Sequence, residues 1–254
     1  MRILLVQPTT KYPDRRPLRS RTRWLLGMTL PYLAGLTPKG IQVDLADDRL
    51  GPIPYDRPYD LVGVTATCAT SERAYEIAGE FRRRGLPVVM GGFHPSLHPD
   101  EAARHCDSVV VGEAEGVWPT VLADAQVKRL KPLYKNAEFH DLAGLPRPRL
   151  ELVNFRRYRV KIIPTQASRG CPYHCAFCEV PIVYGHTYRR RPLDEVIAEI
   201  QANVRVTGLR NIYFIDDNLT GHRDYAKDLF KALRPLKVKW SCLWTINTSR
   251  DEEL

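Results

Sequence analysis

The sequence predicts an α/β protein built in two parts: a doubly wound parallel sheet, then the opening units of a strand–helix barrel. Three observations predict it. Short runs rich in Val, Ile and Leu alternate with helix-spaced segments over residues 1–125. A connector over 126–160, marked by Lys128-Arg129-Leu130-Lys131-Pro132 and Leu145-Pro146-Arg147-Pro148-Arg149, breaks that rhythm with spaced prolines and mixed charge. The alternation resumes over 161–254, where the first strand delivers a compact cysteine triplet.

In the first part the strand candidates are Arg2 to Val6, Ile41 to Leu45, Leu61 to Thr65, Pro87 to Met90 and Ser108 to Val111. Their near-continuous apolar character suits strands covered on both faces. Pro31 is placed to open a short helix ahead of Gly40. Between the third and fourth strands, Ala74, Ile77, Ala78 and Phe81 fall at helical spacing, so Ser71 to Arg84 reads as a helix with Ser71 as its cap and Gly85 as its stop. Five strands alternating with helices indicate a doubly wound sheet, with a flavodoxin-like order the natural expectation.

Such sheets bind ligands beyond the carboxyl ends of their strands. Here those ends lead into Gln7-Pro8-Thr9-Thr10, Thr65-Ala66-Thr67-Cys68-Ala69-Thr70, Gly91-Gly92-Phe93-His94-Pro95-Ser96 and Gly112-Glu113-Ala114-Glu115-Gly116. Small and hydroxylated residues let a large ligand approach and hydrogen-bond to the backbone. The first loop lacks the Gly-x-Gly-x-x-Gly of a dinucleotide site, so a large amide-rich ligand fits better than NAD. Loops that merely need turns are the competing reading, and the loops alone do not separate the two.

In the second part a strand is expected from about Val160 to Gln166, ahead of the cysteines. Pro192 and Asp194 open a helix with apolar Val196, Ile197, Ile200 and Val204. A second strand, Asn211 to Ile215, ends in Asp216-Asp217-Asn218. A helix follows over Tyr225 to Leu233, then a third strand over Val238 to Ile246, and Ser249 is placed to cap a further helix. In a strand–helix barrel the chemistry sits at the carboxyl ends of the strands, which puts the cysteine loop, Asp216, Asp217 and Asn247 on one rim.

Cys171, Cys175 and Cys178 are spaced Cys-x3-Cys-x2-Cys with no fourth cysteine nearby. A four-iron cluster usually takes four thiolates, so three leave one iron open to bind a substrate or cofactor. A zinc knuckle completed by His174 or His186 competes, although structural zinc favours two separated cysteine pairs. A disulfide would need an oxidising compartment. The apolar run at the start is too short for a signal peptide and none approaches membrane-spanning length, so the expected setting is a reducing cytoplasm. Cys68, Cys106 and Cys242 read as small buried hydrophobes.

The triplet, with Phe177 just before its last cysteine, resembles the cluster motif of the radical S-adenosylmethionine (SAM) enzymes. The loops Gly91-Gly92-Phe93-His94-Pro95 and Gly112-Glu113-Ala114-Glu115 resemble those of cobalamin-binding domains fused ahead of radical SAM domains. The resemblance implies three cofactors: a 4Fe-4S cluster on Cys171, Cys175 and Cys178, SAM near Phe177, Asp216, Asp217 and Asn247, and cobalamin near Thr9, Thr65, Thr67, Thr70, Gly91, Gly92, His94, Gly112 and Glu113. Lys11 and Tyr12 follow Thr10 where many cobalamin domains carry Asp-x-His-x-x-Gly, so no cobalt-ligating histidine comes from that loop. His94 could ligate instead, though such a turn more often uses its histidine for hydrogen bonding. The Gly-Gly-Glu common near SAM is absent, and helix capping by Asp217 or Asn218 is the plain alternative. Packing in the core is the plain alternative for Phe177.

The run Ile212 to Gly221 and the end Asn247 to Leu254 are similar to a branch that includes enzymes methylating hopanoid lipids. That branch implies a methyltransferase acting on an unactivated carbon of a lipid or other small molecule, supplied with electrons by an external donor. In it a 5′-deoxyadenosyl radical removes hydrogen from the substrate, and methylcobalamin supplies the methyl group. The alternatives are a cyclase or rearrangement enzyme with the same cofactors, or a non-catalytic cofactor-binding fragment or subunit. The barrels of this family have more strand–helix units than the three found here, which implies a fragment or completion by a partner chain.

The composition is that of an ordinary globular chain: 254 residues, 44% hydrophobic and 26% charged. A formal charge of +9 favours anionic partners, but no nucleic-acid-binding motif accompanies it. Two basic runs stand out, Lys11, Arg15, Arg16, Arg19, Arg21 and Arg23, and then Arg189, Arg190 and Arg191. Each could contact an anionic substrate, a cofactor phosphate or a membrane surface, with a solvated loop as the plain reading.

Overall fold

The computed structural model describes residues 1–23, 25–252 and 254. Glu253 of the terminal motif lies outside the described residues. The chain divides into two compact units. The first takes in Met1–Arg23, Thr29–His140 and Leu152–Arg157, and the second Asp141–Glu151 and Tyr158–Leu254 together with 25–28.

The first unit runs β1 (Arg2–Gln7), α1 (Thr29–Leu36), β2 (Gln42–Asp47), β3 (Leu61–Thr65), α2 (Ser71–Arg83), β4 (Val88–Gly91), α3 (Phe93–Leu97), α4 (Pro99–Ala103), β5 (Ser108–Val111), α5 (Trp118–Gln126) and β6 (Leu133–Lys135). The strands form one sheet in the order β2-β1-β3-β4-β5-β6, and every pairing is parallel. This is the flavodoxin-like order with one strand added at the edge.

Alternation along the strands explains why both faces need cover. Leu4, Val6, Val62, Val64, Val88 and Met90 enter one core, closed by Ala74, Ile77, Ala78 and Phe81 of α2. Ile3, Leu5, Leu61, Val89 and Val110 enter the other, closed by Leu30 and Ala34 of α1 and by Trp118, Val121 and Leu122 of α5. Phe81 is fully buried, and a Phe→Ala change at such a site costs about 3–5 kcal/mol.

The added strand β6 falls within the segment read as a connector. Its Leu-Tyr-Lys offers one inward side chain, Tyr134, too brief a pattern to register as a strand. The segment read as a bare loop after β4 instead folds into α3 and α4. Cys68 is exposed and Cys242 partly so; of the three scattered cysteines only Cys106 is a buried apolar filler.

The second unit runs β7 (Ile163–Thr165), β8 (Ser168–Arg169), α6 (Val180–Tyr184), β9 (Arg189–Arg190), α7 (Leu193–Thr207), β10 (Asn211–Phe214), α8 (Arg223–Leu233) and β11 (Lys239–Ser241). Its sheet has the order β11-β10-β7, again parallel, as consecutive strand–helix units require. Central β10 buries Ile212 and Phe214, whereas all three residues of β11 are exposed. Gly208 ends α7 in the left-handed region at φ +70°.

Two expectations change here. The N-cap of α8 is His222, whose Nδ1 accepts from the Tyr225 amide at 3.3 Å, so neither Asp217 nor Asn218 caps that helix. Ser249 lies inside a 3-10 turn, Ile246–Arg250, and does not open an α-helix.

Candidate functional site

In the first unit the loops at the carboxyl ends of β3, β4 and β5 are tied together. The Ala66 amide donates to the Gly91 carbonyl at 2.9 Å, and the His94 amide donates to the Ala66 carbonyl at 3.1 Å. Ser96 Oγ donates to the Gly92 carbonyl and accepts from the Gly112 amide. Gly92 has φ +99°, and a Cβ there would meet the Ala66 carbonyl and Thr65 Oγ1 at 2.8 Å each. Only glycine combines that φ with that approach.

Four of the residues expected around a ligand point into the protein. Thr9 is buried and its hydroxyl donates to the Leu18 carbonyl at 2.6 Å. Thr70 Oγ1 accepts from the Thr67 amide at 3.0 Å, within a turn that leads into α2. The Glu113 carboxylate accepts from the His140 amide at 2.8 Å. His94 is buried with Nε2 2.9 Å from the Tyr75 hydroxyl. That hydroxyl donates to Glu101, so His94 offers its Nε2–H to Tyr75. The hydrogen-bonding role for His94 is the one the geometry displays. Thr65 and Gly91 end β3 and β4, and Thr67, Gly92 and Gly112 lie in the loops that follow β3, β4 and β5.

The basic run 11–23 is largely engaged by acids. Lys11 meets Glu72 and Glu76, Arg15 meets Glu72, Arg16 meets Asp14, and Arg19 meets Asp48. Asp48 is fully buried; burial would raise its pKa, but Arg73 and Arg19 outweigh that and hold it below the usual range. The second run also differs from a solvated loop. Arg191 is buried in an ion pair with Glu199 at 2.9 Å, and Arg190 lies over the Tyr225 ring.

In the second unit the short antiparallel pair β8–β9 closes the base of the loop that carries the cysteines. Gly170, at φ +85°, precedes the first cysteine, and a Cβ there would overlap the Thr187 carbonyl. Three consecutive residues after β10 grip this base. Asp216 accepts from the Ala167 amide at 3.1 Å, from the Ser168 amide and from Ser168 Oγ at 2.6 Å. Asp217 accepts from the Gly170 amide at 3.0 Å. Asn218 Nδ2 lies 4.0 Å from Cys171 Sγ.

Asp216 is fully buried, and burial outweighs those hydrogen bonds to push its pKa up to about 6. Its carboxylate therefore faces the backbone it anchors. Asp217 is half-buried and also raised by burial, against the pull of Arg169 and Arg189. Sequence reasoning missed the β8–β9 pair and the anchoring role of Asp216. A hydroxyl at Ser168 before Arg-Gly-Cys was the available hint.

Cys171, Cys175 and Cys178 are all free thiols; Cys175 is exposed and the others are partly so. The Cys178 amide donates to the Cys175 carbonyl at 3.0 Å, which turns the loop back on itself. Among the described residues no three His, Cys, Asp or Glu side chains converge on one ion-sized point. His174 and His186 stack with ring centroids 3.9 Å apart. The donor set fits an iron–sulfur cluster: three unpaired thiols on one accessible loop, with an amide donor beside the first. Phe177 is 90% exposed, so the core-packing alternative fails. Asn247 is exposed on the 246–250 turn, in a shallow cleft of about 420 Å³ with Arg223, Arg250 and Asp251.

Comparison with known proteins agrees with this division. Residues 32–122 match the B12 binding domain family, and residues 165–254 match the Radical SAM superfamily. The bacteriochlorophyllide d C-8(2)-methyltransferase of Chlorobaculum tepidum is 40% identical over 176 residues, covering 67% of this chain and 39% of that protein. The hopanoid C-2 methylase of Rhodopseudomonas palustris is 29% identical over 66% of this chain and 33% of its own length. The structure of the radical SAM methyltransferase TsrM from Kitasatospora setae, with tryptophan and a SAM analogue bound, superposes with a TM-score of 0.68 at 20% identity. That match covers 91% of this chain and 50% of TsrM. The chain thus spans half or less of the length of these proteins. Among the described residues no helix is long and apolar enough to cross a membrane.

Proposed function

We propose that this chain, a member of the radical SAM proteins that carry a B12-binding domain, is the cofactor-holding part of a methyltransferase acting on an unactivated carbon of a small molecule or lipid. The observation that carries the reading is the cysteine loop: three free thiols on a base pinned by Asp216 and Asp217. When bound, a 4Fe-4S cluster, SAM and cobalamin would supply the radical and methyl-transfer chemistry, which the protein positions and tunes.

Cys171, Cys175 and Cys178 hold the cluster. Asp216 locks the backbone at 167–168, so the loop starts from a fixed point. Asp217, half-buried and already taking the Gly170 amide, would hold the amino group of SAM. Phe177, exposed, is free to lie against an adenine, and Asn247 supplies a polar contact from the turn Ile246–Arg250. In the first unit Thr65, Thr67, Gly91, Gly92 and Gly112 give cobalamin close approach to backbone, while Thr9, Thr70, His94 and Glu113 hold those loops in shape. No histidine of the first loop reaches cobalt in this reading. An external one-electron donor and a cytoplasmic setting complete it, with any membrane contact peripheral.

The test is anaerobic reconstitution with iron, sulfide and cobalamin, followed by SAM and a reductant. The reading predicts bound iron and sulfide, a bound corrinoid, and 5′-deoxyadenosine released from SAM. With a candidate substrate, a product heavier by one methyl group supports methylation, whereas unchanged methyl count would point to cyclisation or rearrangement. Iron and corrinoid binding with no SAM cleavage would reduce the chain to a binding module.

A further inference from the structure

We infer that Asn218 is a positioning residue that sets the reduction potential of the group held at Cys171; this rests on the proposed cluster. Asn218 is 1% exposed, which is unusual for an asparagine and calls for satisfied hydrogen bonds at both ends of its amide. Thr220 Oγ1 donates to Asn218 Oδ1 at 3.2 Å, and Thr220 is itself buried. That contact fixes the amide's orientation and leaves Nδ2 facing Cys171 Sγ at 4.0 Å. A thiolate can only accept, so the nitrogen end is the correct one to meet it.

The neighbours of Asn218 have a different task. Asp216 and Asp217 take backbone amides at 167, 168 and 170, and so hold the loop's base. Of these three residues, Asn218 is the one whose side chain reaches sulfur. An N–H donated to a cluster thiolate stabilises negative charge, and the reduced cluster carries more of it. Asn218 therefore raises the potential and eases reduction of the cluster by its electron donor, while making the reduced cluster a milder reductant towards SAM.

The experiment is a redox titration of the anaerobically reconstituted chain, followed by electron paramagnetic resonance, for wild type, Asn218→Asp, Asn218→Ala and Thr220→Val. Asn218→Asp keeps the shape and the acceptor for Thr220 but replaces the donor with a negative oxygen. A merely structural role would leave the potentials of the neutral variants Asn218→Ala and Thr220→Val unchanged. The inference predicts a negative shift in all three variants, largest in Asn218→Asp and smallest in Thr220→Val. For Asn218→Ala the reduced-to-oxidised ratio at the wild-type midpoint should fall about threefold to tenfold, the worth of one hydrogen bond. A tenfold fall is about 59 mV for one electron.

Iron-loaded variants with the wild-type potential would overturn the inference and leave the proposed function standing. Wild-type protein that takes up no iron would overturn both. If the Asn218 variants assemble no cluster, Thr220→Val decides: a negative shift supports the role of the amide, and an unshifted potential refutes it.

Discussion

The two units treat charge in opposite ways. In the first, acids are paired with bases: buried Asp48 with Arg19 and Arg73, and the more exposed Glu72 with Lys11 and Arg15 and Glu80 with Arg83 and Arg84. Their carboxyl groups are all held below the usual range. In the second, Asp216, Asp217 and Glu199 are pushed above it, with burial the first cause each time. The difference follows from what each part must do. A sheet whose loops are built from small residues and backbone can leave its carboxylates ionised, each held by one or two paired bases. A loop that must hold three thiols in one place needs its anchors buried beside it, and buried carboxylates resist ionisation.

Removing the thiols breaks the comparison most severely. Cys171→Ala, Cys175→Ala or Cys178→Ala is expected to abolish stable cluster assembly, measured as iron and sulfide per chain. Corrinoid binding by the first unit, followed by absorbance titration, should survive each change. Loss of both activities together would show that the two units do not hold their ligands independently.

Next in size is the anchor. Asp216→Ala strands two buried amides and the Ser168 hydroxyl, at about 1–3 kcal/mol for each buried group left unpaired. The second unit should lose stability in thermal unfolding, and the amides of 167 and 168 should lose hydrogen-exchange protection. Asp216→Asn, which keeps one acceptor oxygen, should fall between. The mirror-image change in the first unit is Gly92→Ala, which meets the Ala66 carbonyl and Thr65 Oγ1 at a positive φ. Strain of about 1–3 kcal/mol is expected. The measurable effect is weaker corrinoid binding with unchanged iron content.

The smallest and most diagnostic effect is with pH. Asp216 is raised from 3.8 to about 6 in the folded state. Its contribution is complete below about pH 3.8 and is lost as pH rises through about 6. Asp48 is lowered from 3.8, so its contribution is present above that value and is lost as pH falls through its depressed folded value. Native-state hydrogen exchange, corrected for intrinsic rates, should therefore show protection at 167–168 declining from pH 4 towards 7. Protection of β2 and β3 should be steady over that range and decline only in stronger acid. Parallel trends in the two units would contradict the contrast.

Much of the fold was legible because its strongest signals are local and repeated. The five strands of the first part and β7 and β10 of the second are short apolar runs between turn residues, and α2 shows its apolar stripe at Ala74, Ile77, Ala78 and Phe81, whereas the strand expected over Val238 to Ile246 is only the exposed Lys239–Ser241. The cysteine triplet was legible because its spacing is itself the chemistry. What was not legible depends on pairing at a distance. β6 shows one buried side chain, and β8–β9 pairs residues that are far apart in sequence around the cysteine loop. Asp216 read as a ligand contact because a carboxylate after a barrel strand usually faces the rim. Only the amides of 167 and 168 reveal that it faces inward. Phe177 read as a packing residue in one alternative, yet the loop holds it in the open.

The central claim is that Cys171, Cys175 and Cys178 together hold one four-iron cluster with an iron left for SAM. Mössbauer spectroscopy of the chain, reconstituted anaerobically with isotopically enriched iron, tests it most directly when recorded before and after SAM is added. The account predicts a 4Fe-4S signature in which one iron site alone changes on adding SAM. Zinc in place of iron, or a cluster whose irons are all indifferent to SAM, would contradict it.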